Sequence, residues 1–270
     1  MIPDLVPPTP PHAEETIVAF LRSHCLHHGL DGGVVGLSGG IDSALVAHLA
    51  AEALGPRRVL GLLLPDAIVP ESLRVETEAF ADALGIERRT IPIDGMVGAV
   101  EQALPEVRDP VTRGNAKARL RMILLYAVAR ERHRVVLGTG NKSELLLGYF
   151  TKWGDGGVDL LPIGDLYKTG VRALAAARGL PEAIRRRPPS AGLWEGQTDE
   201  AELGLPYEEA DRILYGLELG QDEPSIVRRT GLPPDRVASI VRRVAGTHHK
   251  RTMPPIPPLG GRTLGVDWRI

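Results

Sequence analysis

From Gly36 to Ser43 the chain reads Gly-Leu-Ser-Gly-Gly-Ile-Asp-Ser, between a short apolar run and an Ala/Leu-rich stretch. Glycines at a strand–helix junction let the backbone close on a ligand, and the first amides of the helix point at it. The amides of Gly36, Leu37, Ser38, Gly39, Gly40, Ile41, Asp42 and Ser43 therefore read as a phosphate cradle. Ser38 and Ser43 add hydroxyl donors, and Asp42 is suited to a magnesium ion bridging phosphates. The competing reading is a glycine-rich turn without a ligand. No lysine follows the glycines, which separates the segment from the usual NTPase phosphate loop. A second junction, Gly138-Thr-Gly-Asn-Lys-Ser-Glu144, begins at the end of another apolar run. In a doubly wound sheet it can face the first, with Glu144 on the following helix as a second magnesium ligand opposite Asp42. Its Gly-x-Gly also fits part of a dinucleotide fingerprint, but the third glycine position holds Ser143.

The lysines stand out as well. Only five of the 32 Lys+Arg residues are lysine: Lys117, Lys142, Lys152, Lys168 and Lys250. Nucleotide-composition bias explains the excess of arginine but not where the few lysines sit. A compact ammonium binds phosphate as a point charge, so each is a candidate ligand. A net charge of −2 argues against a nucleic-acid binder. The single cysteine, Cys25, cannot form an internal disulfide, which suits a reducing cytoplasm. The first residues lack the basic start and apolar run of a secretory signal, and the longest apolar run, 60–64, is too short for a membrane span.

These segments need a scaffold. Helical periodicity is expected at 14–28, 41–54, 71–84, 112–132, 169–178, 182–186, 207–217, 223–229 and 234–245. Strands are expected at 34–37, 59–64, 88–93 and 134–137, apolar throughout and separated by helices, the pattern of a parallel sheet covered on both faces. The expected class is α/β, a doubly wound parallel sheet with a helical C-terminal extension. One domain spans 1–270, with a Pro-rich lead at 1–12 and an extended tail at 248–270 packed onto the body. The glycine-rich segment 148–165 is long for a loop and hence suspected of function, and 188–200 is also irregular.

Ser-Gly-Gly-Ile-Asp-Ser resembles the pyrophosphatase loop of ATP enzymes that release pyrophosphate and leave AMP on a substrate, the N-type ATP pyrophosphatases. Within them, Leu-Gly-Tyr-Phe-Thr-Lys-Trp-Gly-Asp-Gly-Gly-Val-Asp-Leu-Leu-Pro-Ile-Gly-Asp-Leu-Tyr-Lys, residues 147–168, resembles the segment that marks the ammonia-dependent NAD synthetases. Segments 114–122, 189–200 and 249–251 are similar to further motifs of that family. The resemblance implies a Rossmann-like fold of the adenine nucleotide alpha hydrolase type. It implies ATP binding by 36–43, Thr139, Lys168 and Ser190, the last where relatives often carry threonine. Deamido-NAD is implied at Arg119, Lys152, Asp159, His249 and Lys250, magnesium at Asp42 and Glu144, and catalytic roles at Asp42, Lys168 and Asp155. Asp155 or Asp159 would help deprotonate ammonium. The implied reaction is ATP- and magnesium-dependent amidation of deamido-NAD through an adenylate, by a cytoplasmic homodimer. No amidotransferase segment is recognisable, so free ammonia is the expected donor. A tRNA-thiolating relative would call for more cysteines or a basic surface. A nucleotide sensor without turnover would not need both acids and Lys168.

Overall fold

The computed structural model describes residues 4–26, 29–259 and 261–262. Four strands, β1 (Gly33–Gly36), β2 (Val59–Leu63), β3 (Glu87–Thr90) and β4 (Val135–Leu137), pair in parallel in the order β3-β2-β1-β4. The chain grows outward from β1 through β2 to β3, then returns to place β4 on the other side of β1. The loops after β1 and β4 thus part at the reversal of strand order, where such sheets open a crevice beyond the carboxyl ends of their strands.

Helices cover both faces. On one lie α1 (Ala13–Cys25), α2 (Ile41–Leu54), α3 (Glu71–Ala83), α7 (Lys168–Ala177) and α8 (Glu182–Arg185), packed through Leu21, Leu45, Leu49, Phe80 and Val171. On the other, α4 (Asp94–Ala103) and the 22-residue α5 (Pro110–Glu131) close over Val34, Leu60, Leu62 and Val136. Asp109 caps α5, accepting from the Thr112 amide at 2.8 Å, with Pro110 in the first turn. After β4 come α6 (Lys142–Leu147), α9 (Asp199–Leu203), α10 (Tyr207–Glu218), α11 (Glu223–Thr230) and α12 (Pro234–Gly246). These share a second core around Leu147, Tyr207, Ile213, Leu214 and Ile240, into which the N-terminal lead inserts the fully buried Leu5.

The doubly wound sheet and the helical extension are as expected, and several details differ. β3 is not apolar: it reads Glu-Arg-Arg-Thr and is mostly exposed, because it is the outer strand, and its Arg88 pairs with Glu78 and Asp82 of α3. The helix α4 was not foreseen; its Gly95 and Gly98 weaken the helical signal. Nor was α9, begun by Thr198, whose hydroxyl accepts from the Ala201 amide at 3.4 Å. The tail packs only in part. Residues His248–Lys250 form a short 3-10 helix and Arg251 donates to the carbonyls of Leu146 and Val244, but Met253 to Leu259 are exposed. Four prolines there donate no backbone hydrogen bonds to the body. Gly260 and residues 263–270 lie outside the described residues. Among the described residues no helix is long and apolar enough to cross a membrane.

Candidate active site

The first turn is held by its own hydroxyls. Ser43 Oγ donates to the Gly40 carbonyl at 3.0 Å, accepts from the Ser38 amide at 3.3 Å and lies 3.1 Å from Ser38 Oγ. The Gly40 amide donates to Ser38 Oγ at 3.2 Å. Gly39 has φ +80°, and a Cβ there would stand 2.5 Å from Leu73 Cδ1 and 2.7 Å from Thr77 Oγ1. Only a glycine lets the turn lie this close to α3. The guanidinium of Arg187 meets the Gly39 carbonyl and pairs with Glu76 at 2.5 Å, fastening the turn to the segment after α8.

Across the crevice, Asn141 caps α6. Its Oδ1 accepts from the Glu144 amide at 3.0 Å while Glu144 Oε2 accepts from the Asn141 amide at 3.2 Å, a capping box. The buried Asn141 also donates through Nδ2 to Asp42 Oδ1 at 2.9 Å, which ties the two strand-end loops together. Asp42 and Glu144 therefore share one pocket, and Lys168 stands between them. Its Nζ lies 2.6 Å from Asp42 Oδ2 and 3.0 Å from Glu144 Oε1, with the Tyr207 ring 5.1 Å beneath. Lys168 is 2% exposed. Burial opposes its charge, but the two carboxylates outweigh that and hold it above the ordinary lysine range. Burial pushes the Glu144 carboxyl up, to about 8, against the pull of Lys168. Thr139, half-buried, lies on the same loop as Asn141, and Ser190 is exposed, its Oγ accepting from the Gly192 amide at 3.1 Å.

The residues expected to hold deamido-NAD form a second group, on α5, the segment 149–159 and the tail. Arg119 donates to the Lys152 carbonyl at 3.1 Å. Lys152 Nζ donates to the carbonyls of His249 and Thr252 at 2.6 and 3.2 Å, and Lys250 Nζ returns the exchange to those of Gly148 and Phe150 at 2.7 and 2.9 Å. His249 is exposed, with Nδ1 3.2 Å from the Gly246 carbonyl. Asp159 accepts from the Val136 amide at 2.8 Å and from the Tyr126 hydroxyl at 2.9 Å; burial and that bond push Tyr126 up to about 12. Asp155 accepts from the Thr151 amide at 2.8 Å. Solvent reaches it, yet the surrounding protein pushes its carboxyl above the ordinary range, with the Thr151 amide and the Lys250 charge pulling the other way. Arg119, Met122, Ile123, Tyr126, Trp153 and Gly157 line a recess of about 330 Å³.

Asn141 is a site residue whose sequence signal is a capping box, Asn followed three residues later by Glu. Lys117 has a partner that no local pattern announces. Lys117 Nζ pairs with the buried Asp66 at 2.7 Å and donates to the Leu193 carbonyl at 3.1 Å, joining the end of β2 to α5 and to the 189–198 segment. Asp66 gave no signal beyond its place after a strand.

The NAD synthase family model matches residues 13–254. An NH3-dependent NAD+ synthetase of Methanosarcina mazei is 50% identical over 251 residues, which cover 92% of this chain and 98% of that one. Among solved structures, the NMN synthetase from Francisella tularensis superposes with a TM-score of 0.82 at 35% identity, covering 93% of this chain and 99% of that one. The NH3-dependent NAD synthetase from Campylobacter jejuni, in complex with nitrate, gives 0.78 at 32%, covering 91% and 97%. A match that runs from the first helix to the tail, with half of all aligned positions identical in a relative covered almost end to end, makes this chain a member of the NAD synthase family.

Proposed function

We propose that the chain amidates the nicotinate carboxylate of deamido-NAD with ammonia at the expense of ATP, and that Asp42, Glu144 and Lys168 carry the adenylation. The observation behind the assignment is the position of Lys168 Nζ, within 3.0 Å of both acids and next to the turn at 36–43. A carboxylate oxygen is a poor leaving group, so it must first be esterified. The nicotinate carboxylate attacks the α-phosphorus of ATP, and the α–β bridging bond breaks with its electron pair leaving on pyrophosphate. Amides of the turn and the Ser38 and Ser43 hydroxyls orient the phosphates, and Lys168 offsets the charge that builds on the leaving group. Ammonia then attacks the acyl carbon, and AMP departs with the C–O electron pair.

Asp42 and Glu144 form an all-oxygen donor pair, which suits a hard divalent cation that keeps its remaining positions for phosphate and water. Magnesium bound there would supply further neutralisation of the triphosphate. Asp155, an exposed carboxylate on the 149–159 segment, is the group we assign to accept a proton from incoming ammonium. Arg119, Lys152, Asp159, His249 and Lys250 are assigned to deamido-NAD, and Thr139 and Ser190 to ATP. A second copy of the chain covering Ile123, 62% exposed, and Trp153, 53% exposed, would close the recess beside Arg119. A monomeric mass in sedimentation equilibrium overturns that last part.

The likeness to a protein described as an NMN synthetase supports a second reading, the same chemistry on nicotinate mononucleotide. One assay separates them: ATP, magnesium and ammonium with either acid, following AMP and amide product together. Equal amounts of AMP and NAD from deamido-NAD are expected. AMP without amide, or no turnover, overturns the reaction; faster turnover of the mononucleotide assigns the shorter substrate.

A further inference from the structure

Helix α7 begins at Lys168 without a capping side chain of its own, since its N-cap residue is Tyr167. The first amides of a helix need partners, and here they come from two other helices. The Lys168 amide donates to Ser143 Oγ at 2.8 Å, Ser143 donates its hydroxyl proton to Asp211 Oδ1 at 2.5 Å, and Asp211 Oδ2 accepts from the Thr169 amide at 2.9 Å. Asp211 and Ser143 are fully buried. Asp211 lies on α10, in the helical extension, whereas Ser143 lies on α6 immediately before Glu144. One carboxylate thus binds the starts of the two helices that carry Glu144 and Lys168.

The arrangement calls for a carboxylate. Both groups facing Asp211 are donors, so it must accept twice, and an amide of the same shape would turn an NH2 against one of them. Two helix N-termini meet there, where negative charge is favoured. Burial still pushes the Asp211 carboxyl above its ordinary range, so the group is held at a cost. The same helix face also reaches the other end of Lys168. Tyr207, one turn before Asp211, lies under the ammonium, and its hydroxyl donates to Asp199 at 3.1 Å.

We propose that Asp211 is a positioning residue for adenylation, which acts through Ser143 to hold the backbone of Lys168 in register with Glu144. This rests on the assignment of Lys168 to the triphosphate. The test is Asp211→Asn, assayed with enzyme in excess over ATP so that slow single turnovers register as AMP. The expected result is a turnover rate lowered about 10- to 100-fold, the range for outer residues that orient a ligand set. In separate steady-state assays with ATP in excess over enzyme, the KM for ATP should move less than about threefold, because binding along the turn at 36–43 is untouched. In a Lys168→Arg background the Asp211 substitution should add little, since residues acting through one another are not additive. Ser143→Ala, which deletes a single hydroxyl, should reproduce the loss and carries the test if the Asn variant does not fold. Full activity in both variants, or an Asp211 loss that multiplies in full with Lys168→Arg, overturns the proposal. If the unsubstituted enzyme forms no AMP, the functional reading itself has failed; if it is active and both variants match it, only the role of Asp211 has.

Discussion

Replacing Lys168 with methionine should destabilise the ligand-free protein, and by an amount that depends on pH. The ammonium is 2% exposed and lies 2.6 and 3.0 Å from two carboxylates whose side chains are each 16% exposed. Methionine fills similar space and leaves both acids facing one another without a cation. Removing one partner from a buried ion pair costs roughly 3–5 kcal/mol. Glu144, already raised by burial to about 8, loses the charge that pulled it down, so its folded-state value rises further in the variant. A carboxyl raised in the folded state holds its proton there and not in the unfolded chain. Its contribution is therefore favourable at low pH and lost as pH climbs through the folded value. The loss accumulates from the unfolded carboxyl's pKa upward; it is complete near pH 8 in the wild type and continues above that in the variant. Between the two folded values the lysine-to-methionine deficit grows, by up to about 1.4 kcal/mol per pH unit. Urea denaturation at about pH 7 and about pH 9.5 reads both quantities, and magnesium should recover part of the loss at the higher pH by replacing the missing charge. Equal stability of variant and wild type at the higher pH, or a deficit that ignores pH, refutes the account of Lys168 as the cation between the two acids.

Other substitutions probe the remaining parts. Asp42→Asn should lower turnover at least about 100-fold, the scale for losing a preorganised charged group, with a far-ultraviolet circular dichroism spectrum unchanged; near-normal turnover removes Asp42 from the reaction. Gly39→Ala combines a left-handed backbone with contacts to Leu73 and Thr77, so urea unfolding should show a loss of about 1–3 kcal/mol and the KM for ATP should rise. Cys25 is fully buried, and burial pushes its thiol up to about 11. A thiol-reactive dye at about pH 8 should therefore label it only after denaturation, and fast labelling of the native protein would contradict the packing of α1.

The parallel sheet was legible because β1, β2 and β4 are buried on both faces and so carry no polar alternation. β3 was placed close to its position for a reason that does not hold, since its outer place makes polar residues acceptable there. The two acids of the crevice were legible as glycine-flanked residues at strand ends. Their meeting on Lys168 was not, because nothing local states that α7 begins in the same crevice as α6. The link is Asp211, one of four acids on an amphipathic helix, whose charged side chain reads as a surface group although it is fully buried on the face of Tyr207 and Leu214. Lys152 and Lys250 were singled out by their scarcity. Each ammonium is in fact occupied by two main-chain carbonyls, a partnership that no side-chain pattern announces.

That exchange of lysines ties together stretches about a hundred positions apart in the chain. Each side lends a cation and receives one, so withdrawal of either strips all four carbonyls of their donors in a single event. Closing so wide a loop carries most of its entropic penalty in the first contact, and the second then forms within an already confined ring. The strip around Lys152 and residues 249–252 should therefore open and order together, and a protease cut in one should loosen both.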